Sequence, residues 1–95
     1  MLKQTQLCVG ASLLEVEVAT NCPKGGDGGH GGRTVVRLGD QGGSFEFKII
    51  PEDLERKQLY AVEIHGAGDD ECLRIAEALE WAAAKLRQFY IRNTD

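Results

Sequence analysis

The sequence predicts an α+β domain: a four- to five-stranded antiparallel sheet with one long C-terminal helix packed on one face. Three observations carry that expectation. Four stretches alternate apolar and polar residues with a period of two, at 14–19, 34–38, 45–49 and 60–65. One long stretch, from Asp69 or Asp70 to about residue 91, instead repeats apolar residues at steps of three and four. The strands come first and the helix last, an order that suits an antiparallel sheet and not a chain of β-α-β crossovers.

In the first alternating stretch Leu14, Val16 and Val18 share one face, with Glu15 and Glu17 on the other. A shorter run at 6–9 reads as a further strand, and Gly10 as the bend between the two. In the next pair of strands, Thr34, Val36 and Leu38 share a face, as do Phe45, Phe47 and Ile49. The intervening Gly39-Asp40-Gln41-Gly42-Gly43 has turn chemistry, so these two strands read as a hairpin. Pro51-Glu52-Asp53-Leu54-Glu55 suggests one helical turn, with proline at the first position and carboxylates near the N-terminus. Tyr60, Val62 and Ile64 then point inward from a last strand.

Asp69 or Asp70 is placed to cap the helix. Its expected apolar stripe is Cys72, Ile75, Ala76, Leu79, Ala82, Ala83, Leu86, Phe89 and Tyr90. The sheet's polar face would carry Glu15, Glu17, Arg37, Glu46, Lys48, Glu63 and His65, mixed charges that suit cross-strand pairing.

Ninety-five residues make a single domain, 1–95, with one modest core. A hydrophobic content of 42% with 27% charged residues argues against disorder of the whole chain. The net charge of −4, from 15 acidic and 11 basic residues, argues against a groove for duplex nucleic acid. Glu15 and Glu17 interrupt any apolar N-terminal segment, so neither a signal peptide nor a membrane span is expected. Three cysteines at long spacings (Cys8, Cys22, Cys72) form no disulfide or zinc-ribbon pattern, and reduced thiols in the cytoplasm fit best.

The segment 25–33 holds six of the chain's 12 glycines in one strand connection. Glycine loses the most entropy on ordering, and long connections tend to be functional or mobile. Backbone N–H groups from such a loop can form an anion nest. Lys24, Gly26, Asp27, Gly28, Gly29, His30, Gly31 and Arg33 are therefore the candidate binding residues. Lys24, His30 and Arg33 would donate to a phosphate or carboxylate, and Asp27 would accept from a ribose or base. Arg33-Thr34 opens a strand, which excludes a Walker loop, and the absence of a following helix excludes a Rossmann fingerprint.

Trp81 falls opposite the expected stripe, with Arg74, Lys85, Gln88 and Arg92 near it. Arg74, Trp81, Lys85 and Gln88 are the candidate interface, most simply for a homodimer. The first functional expectation is a dimeric, non-enzymatic binding module that holds a small phosphate-bearing, nucleotide-like anion in the glycine loop. In size and architecture it is analogous to phage or mobile-element proteins that sequester nucleotide signals or block defence complexes. The alternative is a protein-interaction module or inhibitor docking through the loop and the Trp81 face. A third reading is a small metal-dependent hydrolase using Asp27, His30 and Cys22. Cys8, His65 and Cys72 are further metal-ligand candidates, although without paired spacing no metal or cofactor is assigned and Cys8 and Cys72 read as small core residues.

Overall fold

The computed structural model describes residues 2–21 and 33–92. They form β1 (Leu2–Val9), β2 (Leu13–Thr20), β3 (Thr34–Asp40), β4 (Phe45–Ile50), β5 (Ala61–Gly66) and α1 (Asp69–Arg92). The α+β class and the terminal helix match the alternation and the helical period. The expected single sheet is instead two antiparallel sheets, β1-β2-β3 and β4-β5.

The three-stranded sheet is a meander in which Cys8 faces Leu14, Val16 faces Leu38 and Val18 faces Val36. The period-two pattern of β2 puts Leu14, Val16 and Val18 on one face, and all three are fully buried beneath α1. On the other face Glu15 accepts from Arg37 at 2.7 Å, and Glu17 accepts from Thr5 at 3.1 Å and lies 3.5 Å from Lys3. Arg37 is in register with Glu17 yet bonds diagonally to Glu15. The expected pairing of charges across strands is therefore present on this sheet.

The predicted hairpin of the third and fourth strands does not form. β3 pairs with β2, and β4 pairs with β5. The Asp40 carboxylate accepts the N–H groups of Gly42, Gly43 and Ser44, fixing a turn that carries a φ of 80° at Gly43. Phe45 then enters the core, only 7% exposed. Anchoring that ring under the helix carries β4 away from the β3 edge.

In the second sheet Phe47 is in register with Ile64 and Ile49 with Val62, so these four share one face. Glu46, His65, Lys48 and Glu63 occupy the other. Residues 51–55 are not a helical turn. Asp53 and Gln58 bridge each other, the Asp53 carboxylate accepts from the N–H groups of Glu55 and Arg56, and Lys57 has a φ of 53°. That left-handed residue turns the chain back before a helix can propagate.

α1 packs against β1 and β2 along a line of Ala78, Ala82 and Phe89. Two alanines let the helix approach the valines of β2 closely. The contact line is thus rotated from the expected stripe: Ile75 and Leu86 share it, while Cys72, Leu79, Ala83 and Tyr90 remain exposed. Asp70 caps a different part of the chain than expected. Its carboxylate accepts the Ser12 N–H at 2.7 Å and the Ser12 hydroxyl at 2.5 Å, tying the β1–β2 turn to the helix. Arg74, 9% exposed, completes the joint by donating to the Val9 carbonyl at 2.7 Å and pairing with Glu77 at 2.6 Å. No helix among the described residues is long and apolar enough to cross a membrane.

Candidate functional site

The β2–β3 ladder ends in a defined mouth. Thr20 and Thr34 are opposed, with their hydroxyls 3.0 Å apart. Beyond them the Asn21 N–H donates to the Arg33 carbonyl at 3.0 Å, and the Arg33 N–H donates to the Asn21 side chain at 2.7 Å. The glycine connection therefore begins and ends at a closed, hydrogen-bonded hairpin neck, with Arg33 exposed at its base. Cys22, Lys24, Gly26, Asp27, Gly28, Gly29, His30 and Gly31 lie outside the described residues.

The expected interface around Trp81 is not one exposed surface. Arg74 is buried in the joint with Val9, Asp70 and Glu77, out of reach of a partner. Trp81 is partly buried and packs against the core. Lys85 lies 6.0 Å from the centre of its ring and donates to Gln88 at 3.4 Å. The cation thus covers the indole from outside, and the two remaining polar residues bond to each other.

The metal and thiol candidates are also separated. Cys8 is buried in the core, where desolvation and then the nearby Glu77 push its thiol pKa up against the opposing effect of Arg74. It is held in the protonated, weakly nucleophilic form. Cys72 is exposed, which corrects its assignment to the core. His65 is exposed on the outer face of β5, 2.8 Å from Glu63. Among the described residues no group of three or more His, Cys, Asp or Glu side chains is arranged to hold a metal ion.

What the structure does bring together is apolar. Val36 and Leu38 from β3, Phe47 from β4, Val62 and Ile64 from β5 and Leu79 from α1 line one open groove of about 340 Å³. The hairpin joins the rest of the domain at its root, where Phe45 and Ile64 meet the core and Gly66 lies so close to α1 that a side-chain carbon there would sit 2.6 Å from the Glu71 Cβ. Away from the root the same face is open: Ile49 is 79% exposed and Val62 75%. Leu54, Leu59 and Tyr60, in the connection between the two strands, are exposed as well. On the helix Leu79 is 53% exposed, with Cys72, Ala83 and Tyr90 on the same flank. Surface leucines scattered singly are ordinary, but an apolar surface shared by four elements is the kind of patch that marks contact sites in general.

A signal for this surface was present in the sequence. The helical stripe spans more than one packing line can cover, and the alternating strands supply more inward faces than one helix can roof. No protein-family model, curated protein or solved structure matches the chain.

Proposed function

We propose that this chain is a non-enzymatic protein-interaction module that works through the apolar surface formed by β3, the β4–β5 hairpin and the Leu79 flank of α1. The observation that carries the reading is the exposure of that hairpin face. An isolated two-stranded hairpin is marginal in water, and Phe47, Ile49, Val62 and Ile64 make a sheet face only when something covers them. The chemistry of the surface suits a protein: the charged residues of the two strands, Glu46, Lys48, Glu63 and His65, all lie on the hairpin's other face. The buried, protonated Cys8 and the structural commitments of Asp70 and Arg74 leave these groups bound into the fold instead of presented to a substrate.

The reading is tested by capturing the chain from its native cells with a removable tag and comparing Val62→Lys with Lys48→Ala, which changes the opposite hairpin face. A protein held in stoichiometric amount, whether another species or the chain itself, should be lost with Val62→Lys and kept with Lys48→Ala. Capture of no protein in stoichiometric amount by the unaltered chain would count decisively against it.

A further inference from the structure

We propose that an extended strand of a partner protein docks along the free edge of β3, hydrogen-bonding to the backbone of Val36 and Leu38 and laying alternate apolar side chains into the groove. This inference rests on the interaction reading above and gives the partner's binding segment its form.

The first support is the direction of the backbone groups. In an antiparallel ladder, residues alternate between exchanging hydrogen bonds with the neighbouring strand and turning those groups the other way. The β2–β3 ladder is continued at both ends by bonds between odd-numbered residues: the Asn21 N–H donates to the Arg33 carbonyl, and the Gln41 N–H donates to the Leu13 carbonyl. The register between these ends is unbroken, so Val35, Arg37 and Gly39 bond to β2. Thr34, Val36 and Leu38 turn their N–H and carbonyl groups outward. β3 is the last strand of its sheet, and among the described residues no neighbouring strand takes these groups.

The second support is that the same residues line the groove. Val36 and Leu38 stand opposite Val18 and Val16, on the helix side of the sheet. Their side chains form one wall of the groove, with Phe47, Val62, Ile64 and Leu79 around the rest. Apolar side chains and unpaired backbone groups thus face one space. A helix has its own backbone groups already bonded and cannot satisfy the edge. An extended chain satisfies it and fills the groove with every second side chain.

The sheet's other edge is closed by comparison. The Gly10 N–H donates to the Ser12 carbonyl, which sets the even residues of β1 against β2 and turns Lys3, Thr5, Leu7 and Val9 outward. There the Val9 carbonyl is taken by Arg74, and Lys3 puts a charge on the edge. The β3 edge has neither device at Val36 and Leu38. No proline interrupts residues 34–40, and their one cation, Arg37, is drawn to Glu15 on the opposite face. The fitting partner segment alternates apolar and polar residues over about five positions, apolar toward the groove.

The test selects peptides of about eight residues, the span of a full strand, from a random display library against the whole chain. Amide exchange and binding are then measured with the peptide it enriches. The enriched sequences should alternate apolar and polar residues. The peptide should slow exchange at Val36 and Leu38 while leaving Arg37, already bonded to β2, unchanged. N-methylation of the peptide at alternate residues should weaken binding about tenfold per site, and at the intervening residues should not. Val36→Pro, which removes an outward N–H, should weaken binding equally, and Lys48→Ala should not. If Val36→Pro disturbs the sheet, the N-methylated peptides read the same bonds from the other side. A selection that enriches no peptide, or a peptide that leaves the Val36 and Leu38 amides unprotected, would overturn the inference. So would protection of those amides in the chain alone that rises with its concentration, which would put a second copy on the edge. A protein retained from native cells and lost with Val62→Lys leaves the interaction reading standing in either case; if none is retained, both fall.

Discussion

The guanidinium of Arg74 and the backbone carbonyl of Val9 lie 2.7 Å apart, joining the middle of the first helical turns to the end of the first strand. The same guanidinium pairs with Glu77 at 2.6 Å and stands 3.8 Å from Asp70, whose carboxylate holds Ser12. Val9, Ser12, Asp70 and Arg74 thus form one joint between the β1–β2 turn and α1. Because the helix docks on β1 and β2, this joint fixes its rotation about its own axis. That rotation decides which apolar residues are buried and which, like Leu79, are left outward.

Gly10 has no side chain because the joint leaves no room for one. A Cβ at this position would fall well inside contact distance of the Arg74 guanidinium and 2.6 Å from an Asp70 oxygen. Arg74 cannot swing aside without giving up Val9 and Glu77. Gly10→Ala should therefore destabilise the fold by about 1–3 kcal/mol, the usual cost of forcing extra volume into a packed site. Urea unfolding measures it, and an unchanged midpoint would show that the joint yields freely.

The joint also predicts an acid sensitivity. Hydrogen bonds from the Ser12 hydroxyl, then the Ser12 N–H, with smaller help from the Ala11 N–H and Arg74, hold the Asp70 pKa below its ordinary value despite opposing desolvation. A carboxylate depressed in the folded state contributes stability that is complete above its unfolded pKa, near about 4, and is lost as pH falls through the lower folded value. The unfolding midpoint of the wild type should fall across that window, and Asp70→Asn should lose stability at neutral pH while showing a shallower acid decline. Parallel pH profiles for the two proteins would contradict the assignment.

Core and contact surface should respond differently to truncation. Phe89 is 1% exposed on the packing line, so Phe89→Ala should cost about 3–5 kcal/mol through lost burial and a residual cavity. Leu79 lies on the outward flank. Leu79→Ala should leave the unfolding of the isolated chain nearly unchanged while weakening retention of a bound protein. Equal losses of stability from the two substitutions under dissociating conditions would place Leu79 in the core and remove it from the surface.

Much of the fold was legible because single-strand alternation depends on nearest neighbours. The buried face of β2 and the polar partners of Glu15 and Glu17 follow directly from Leu14, Val16 and Val18. The partner of a strand is not local information. Turn chemistry at 39–43 favours a hairpin, but the burial of Phe45 beside the helix redirects β4, and only tertiary packing specifies that. Helix rotation is similarly nonlocal. A stripe broad enough to contain both Ala82 and Leu79 does not say which line meets the sheet, and a buried arginine at Arg74 reverses the usual expectation that cations mark the solvent side. For that reason Arg74, predicted on the Trp81 surface, is buried, while Leu79 on the opposite flank is exposed. Arg33, the one described member of the predicted loop site, stands at the neck that closes the glycine connection.

The claim that the hairpin's apolar face is covered in the working protein is tested most directly by amide hydrogen exchange of the wild-type chain recovered from its native cells together with any protein it retains. If the face is covered, the amides of β4 and β5 that bond across the hairpin should exchange nearly as slowly as those of β2, and Val62→Lys should return them to fast exchange without altering β2. Fast exchange throughout β4 and β5 in the wild type, beside a protected β2, would contradict the account.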